Sequence, residues 1–246
     1  MTLSRKSKGF GFQDLVANGI EIELQDYFPG SLAICEPWFD EGSMILSRGL
    51  SAFKVRVIND QTRCLVALFE MARVDTHGLF ELVTSDDPSG NENTIAMLDG
   101  KSPFLESMND VVNGIGAFFT CIKSFDLSRD AVLETEESFV NAIHEIHCTL
   151  ETVLIENLPV EEIIPRFDKP YTMFFITSRE AMSMLNARVI LPCLASLKGR
   201  LLVQCNLASI DTLSTLFIAG SKNRLMLAFE LRGERGACYV GFKARA

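Results

Sequence analysis

The side chains best suited to chemistry in this sequence lie between positions 144 and 151: His144, Glu145, His147, Cys148 and Glu151. Imidazole, thiolate and carboxylate all ligate zinc, and residues at i, i+4 and i+7 share one helix face. His144, Cys148 and Glu151 therefore form a candidate metal set that needs one further ligand from elsewhere. The spacing is not H-E-x-x-H, because the second His comes one residue early, and no C-x-x-C or H-x-H supplies a matching half-site. The competing reading is a polar helix flank with a half-buried Cys. A Cys–His nucleophile centred on His144, His147 and Cys148 is the thiol-chemistry alternative. It requires a lowered thiol pKa and an orienting group, and among seven Cys and three His no pair is singled out by context.

The second candidate site is electrostatic. Residues 179–246 carry ten Lys or Arg against four Asp or Glu, a balance of +6, which leaves -15 on the first 178 residues of a chain whose net charge is -9. In 224–232 apolar and polar residues alternate, so Arg224 and Arg232 fall on the outer face of a strand, with Arg235, Lys243 and Arg245 close in sequence. These five are the expected anion-binding or docking residues, facing a nucleic acid, an anionic membrane surface or an acidic neighbouring subunit. A solvated polar face is the simpler alternative.

Motifs of higher specificity are missing. There is no G-x-S-x-G, no G-x-x-x-x-G-K and no G-x-G-x-x-G. Asn113-Gly114-Ile115-Gly116 lacks a third glycine, and it reads as a bend. No cofactor is implied.

The elements that must carry these residues read as α+β and β-rich, with antiparallel meanders at both ends and a helical middle. Residues 1–12 form a mobile basic arm. Residues 13–155 form an acidic unit of β-meander plus helices. Within it Ile20–Leu24, Leu32–Cys35, Phe53–Val57, Cys64–Phe69 and Leu79–Val83 are strand-like, and 85–93 is an exposed loop. Helical spacing runs from Phe104 to Ile122. It returns over 136–155, where Phe139, Ile143, Ile146, Leu150 and Val153 make one stripe. Pro159 and Pro165 mark 156–170 as a connector. Residues 171–246 form a basic antiparallel β domain with one short helix, capped by Thr177 or Ser178. Its strands are Tyr171–Ile176, Leu201–Cys205, Thr215–Ile218 and a final hairpin of 224–231 with 238–242. Arg63–Glu70 resembles Arg224–Glu230, as two copies of one meander would.

With 48% hydrophobic residues and 18 Phe in 246 positions, the chain can bury a sizeable core. The composition argues against disorder, collagen-like repeats and a disulfide miniprotein, and the net charge disfavours a uniformly basic nucleic-acid binder. The odd, scattered cysteines fit a reducing, cytoplasmic compartment, and no apolar run approaches the length of about 18 residues that spans a bilayer. The expected function is that of a non-enzymatic assembly or scaffold protein, such as a structural component of a viral or other large intracellular assembly. It would self-associate and use its basic C-terminal β domain to contact an anionic partner. The alternative is a metal- or thiol-dependent enzyme built on His144, His147 and Cys148.

Overall fold

The computed structural model describes residues 28–39, 44–46, 53–85, 108–125, 127–177, 192–193, 196–206, 208, 210–220, 225–232 and 237–244. The arm 1–12, the strand expected at Ile20–Leu24, most of the loop 85–93 and the short helix expected after Thr177 lie outside them.

Among the described residues one seven-stranded mixed sheet is flanked by seven helices. Its strands are β1 (Ala33–Glu36), β2 (Val55–Asn59), β3 (Leu154–Glu156), β4 (Thr172–Thr177), β5 (Arg200–Asn206), β6 (Leu225–Arg232) and β7 (Ala237–Ala244), in the order β3-β2-β1-β4-β5-β7-β6. The five strands from β3 to β5 in that order pair in parallel. β7 is antiparallel to both β5 and β6, so β6 runs with the rest and β7 alone is reversed.

Alternation along each strand divides the core in two. Ile34, Ile58, Met173, Phe175 and Leu202 face one cluster. Their neighbours Cys35, Val57, Phe174, Leu201 and Val203 face the other. Strands buried on both faces read as continuous apolar runs, and Leu-Ala-Ile-Cys and Met-Phe-Phe-Ile are such runs. The first cluster is covered by α1 (Cys64–Val74), α2 (Thr76–Thr84), α3 (Met108–Ser124), α4 (Arg129–Leu133) and α5 (Glu136–Leu150). α6 (Val160–Phe167) and α7 (Ile210–Gly220) cover the second, through Val160, Ile163, Ile164, Ile210 and Phe217.

The C-terminal hairpin is present as β6 and β7, but the meander expected over 52–84 is not. Only its first strand forms; Cys64–Phe69 and Leu79–Val83 are helical. Leu65, Leu68 and Met71 recur every third residue and are buried together with Ala67, a helical spacing that a short apolar run conceals. Thr215–Ile218 is likewise helix, within α7. The resemblance of 63–70 to 224–230 therefore joins a helix to a strand, so these two segments are not copies of one meander. The connector 156–170 holds α6, and strands from both sides of it join the single sheet.

The helical middle forms, but the helix expected over 136–155 ends at Leu150 and its last two residues begin β3, while positions 104–107 of the preceding expected helix lie outside the described residues. Thr135 caps α5 by accepting the N–H of Ser138 at 3.1 Å, and Phe139, Ala142, Ile146 and Leu150 are its buried stripe. Asn113–Gly116, expected as a bend, lies inside α3. A Cβ on Gly114 would stand 2.7 Å from Met71 Sδ, 3.0 Å from Leu68 N and 3.1 Å from Ala67 C, so the missing side chain is what lets α1 and α3 cross.

Candidate functional site at the carboxyl ends of the parallel strands

In an open α/β sheet, ligands bind outside the carboxyl ends of the strands, where the strand order reverses. Here the reversal falls between β1 and β4: from β1 the order runs outward to β2 and β3, and from β4 to β5.

β1 ends in Glu36, which is 2% exposed and accepts the N–H of Ile45 at 2.9 Å. Met44, Ile45 and Leu46 are fully buried, so the chain beyond β1 folds back onto its end. β2 ends in Asn59, whose side chain ties three strand ends together. Its Nδ2 donates to the carbonyls of Pro37 at 2.9 Å and Leu158 at 2.8 Å, and its Oδ1 accepts Leu158 N–H at 2.9 Å. Asn59 also accepts Phe39 N–H on its backbone carbonyl.

Asp60 follows, 1% exposed. Its Oδ1 accepts Cys64 N–H at 2.9 Å and its Oδ2 accepts Leu65 N–H at 2.7 Å, so the carboxylate satisfies the first amides of α1 and sits at the positive end of its dipole. Arg63, at φ 60°, makes the left-handed turn that brings those amides round. Glu156 at the end of β3 pairs with Arg166 at 3.2 Å. Trp38, the single tryptophan, is half-buried just past β1 and packs against the second core cluster. The edge is thus acidic. Between Glu36 and Met44 the sequence has Asp40 and Glu41, no Lys or Arg, and one glycine, Gly42.

Glu36, Asn59 and Asp60 were legible in the sequence as no more than loop and turn residues. The signal was an apolar run ending in an acid, with a second acid 24 positions on, just past the next strand. Reading 64–69 as a strand hid it.

The residues singled out from the sequence lie elsewhere. His144 and Cys148 are exposed neighbours on α5, with Nε2 3.5 Å from Sγ. Glu151, expected with them, instead lies 3.5 Å from His147 Nε2, and His147 also meets the Phe69 ring edge-on. No group of three or more His, Cys, Asp or Glu among the described residues is placed to hold a metal ion. Burial pushes the thiols of Cys35, Cys64, Cys121 and Cys193 up, with Glu36 and Asp60 adding to the effect at Cys35 and Cys121. That is opposite to what a nucleophile requires.

Of the expected anion-binding residues, Lys243 is exposed on β7 and pairs in register with Arg200 of β5 and Met226 of β6. Arg232 lies on β6 opposite Cys238. Arg224, Arg235 and Arg245 lie outside the described residues. Arg200 is a clamp at the opposite edge of the sheet. It donates to the carbonyls of Phe28 at 3.0 Å and Pro29 at 2.8 Å and to Ser31 Oγ, with its guanidinium over the Phe28 ring. No helix among the described residues is long and apolar enough to cross a membrane.

No protein-family model matches this sequence, and no curated protein matches it.

Proposed function

We propose that the protein binds an adenosine-bearing cofactor at the carboxyl ends of β1 and β2. The observation that carries this is the strand order, with its reversal between β1 and β4, together with a buried acid at the end of β1 and another just past the end of β2. An open sheet ordered 3-2-1-4-5-7-6 with only the seventh strand reversed is the architecture on which S-adenosylmethionine-dependent methyltransferases are built. Fold alone does not fix chemistry, so charge decides between cofactors. Between Glu36 and Met44 the sequence offers a dinucleotide pyrophosphate two acids, one glycine and no Lys or Arg. S-adenosylmethionine carries a sulfonium and an ammonium, which the same acids attract. When bound it supplies an electrophilic methyl group.

The chain's own part is to hold it. Trp38 offers a flat apolar surface, and Glu36 and the segment after it provide negative charge. Asn59 keeps the ends of β1, β2 and β3 fixed to one another. Asp60 supports α1 rather than reaching for a ribose, since α1 amides take both its oxygens.

Titration calorimetry with S-adenosylmethionine, its neutral-sulfur product S-adenosylhomocysteine and NAD tests the reading. The order of affinity expected is that order. Glu36→Gln, which retains an oxygen for Ile45 N–H, weakens the sulfonium ligand about tenfold, or about 1.4 kcal/mol. Equal or tighter binding of NAD overturns it.

Assembly is the second reading, favoured by the hairpin. β6 is the last strand of the sheet among the described residues and leaves Met226 and Leu227 exposed beside Lys243. A register shift at Ala228 interrupts the edge, so self-association here would use side chains rather than continuous strand pairing. Light scattering of Met226→Lys, Leu227→Lys against the unaltered chain, both in zinc, tests it, since loss of species larger than a dimer is the expected outcome.

A further inference from the structure

We infer that His144 and Cys148 form half of a zinc site which a second copy of this chain completes. The two side chains are exposed and one helical turn apart on α5, with Nε2 and Sγ separated by 3.5 Å. In tetrahedral zinc a bond of about 2.3 Å to sulfur and about 2.0 Å to nitrogen places the two donors about 3.5 Å apart. Sγ also lies 3.9 Å from Nδ1, so the distance suits one ion and a rotation of the exposed His144 ring is what turns the Nε2 lone pair toward it. Its approach is open, because the buried stripe of α5 is Phe139, Ala142, Ile146 and Leu150, on the opposite side.

A structural zinc needs four protein donors, and α5 brings two. Glu151 is drawn off to His147 at 3.5 Å, and the described residues contain no cluster of three possible ligands. A two-fold axis through the ion supplies the missing pair, since an isologous contact repeats the same patch from the partner copy. Val140, one turn before His144 on the same stripe and 42% exposed, gives that contact an apolar component. The two Cys148 thiols lose their protons to solvent on binding, and two thiolates neutralise the ion's two charges. Without metal the faces repel, because each chain carries -9 and α5 presents Glu136, Glu137 and Glu151. Association is therefore conditional on the metal. This inference is independent of the cofactor reading.

The test is sedimentation of the full chain, kept reduced, with zinc alone or with chelator, together with metal analysis of each species. The expected result is a monomer in chelator and a dimer in zinc holding one ion per two chains. Cobalt in place of zinc should give the visible spectrum of a tetrahedral thiolate site. His144→Ala and Cys148→Ser each abolish the dimer, while Cys64→Ser retains it. A zinc-loaded monomer, an oligomer indifferent to zinc, or zinc retained in Cys148→Ser each overturns the inference.

Discussion

Gly114 and Gly116 sit two residues apart in α3, and alanine at the two positions should act with opposite sign. Placing Ala for Gly in a helix interior gains about 1 kcal/mol of intrinsic preference. At Gly116 nothing lies within 4 Å of the added Cβ, so most of that gain survives and Gly116→Ala stabilises by about 0.5–1 kcal/mol. At Gly114 the Cβ would meet Met71 Sδ at 2.7 Å, Leu68 N at 3.0 Å and Ala67 C at 3.1 Å. The Met71 side chain can swing aside, but the backbone of α1 can yield only by moving the helix. Overpacking of this kind costs about 1–3 kcal/mol, which offsets the propensity gain and leaves a net loss of up to about 2 kcal/mol. For a chain of this size each kcal/mol moves the melting temperature by about 2–4 °C. Thermal unfolding followed by circular dichroism should therefore show Tm raised by about 1–4 °C in Gly116→Ala and lowered by up to about 8 °C in Gly114→Ala. A rise in both variants would refute the close crossing of α1 and α3.

Other consequences follow from the buried polar groups. Asp60→Ala leaves the N–H groups of Cys64 and Leu65 without their acceptor and should lower stability by about 2–4 kcal/mol in urea unfolding; a loss under about 0.5 kcal/mol would mean the carboxylate does not cap α1. Asp168→Ala removes the acceptor of Lys198 and Gly199 N–H, at 2.9 and 2.8 Å, where Gly199 passes too close to Thr172 for any side chain, and should cost about 1–3 kcal/mol by the same assay. The buried thiols of Cys35 and Cys121 are held above the ordinary value, so below about pH 8 folded and unfolded chains both keep the protons. Above that the unfolded chain loses them first and stability falls. Tm measured from pH 8 to 10 should decline, with a shallower slope in Cys121→Ala; identical slopes would contradict the assignment.

The ends of the chain and its helical middle were readable to different degrees. The helices at 108–124 and 136–150 and the hairpin of β6 with β7 were legible because period 3.6 or period 2 persisted over many residues. The parallel strands were found as strands but not as parallel, since a run such as Leu201-Leu-Val that is buried on both faces carries no alternation to say which way its neighbours run. α1 was misread because Cys-Leu-Val-Ala-Leu-Phe suits a strand as well as a helix. Its start signal is a carboxylate four residues before the first helical position, not an adjacent cap. That one error turned a βα unit into a meander and hid the acids at the strand ends. The 144–151 cluster was seen, but which of its members meet depends on rotamers that spacing does not specify.

The most direct measurement uses Trp38, the only tryptophan in the chain, which lies two residues past the end of β1. Its fluorescence, titrated with S-adenosylmethionine in chelator, should change saturably, and Glu36→Gln should shift the midpoint to higher concentration. Emission unchanged in intensity and wavelength up to about 1 mM ligand, where binding is worth no more than about 4 kcal/mol, would contradict a cofactor site at the ends of β1 and β2.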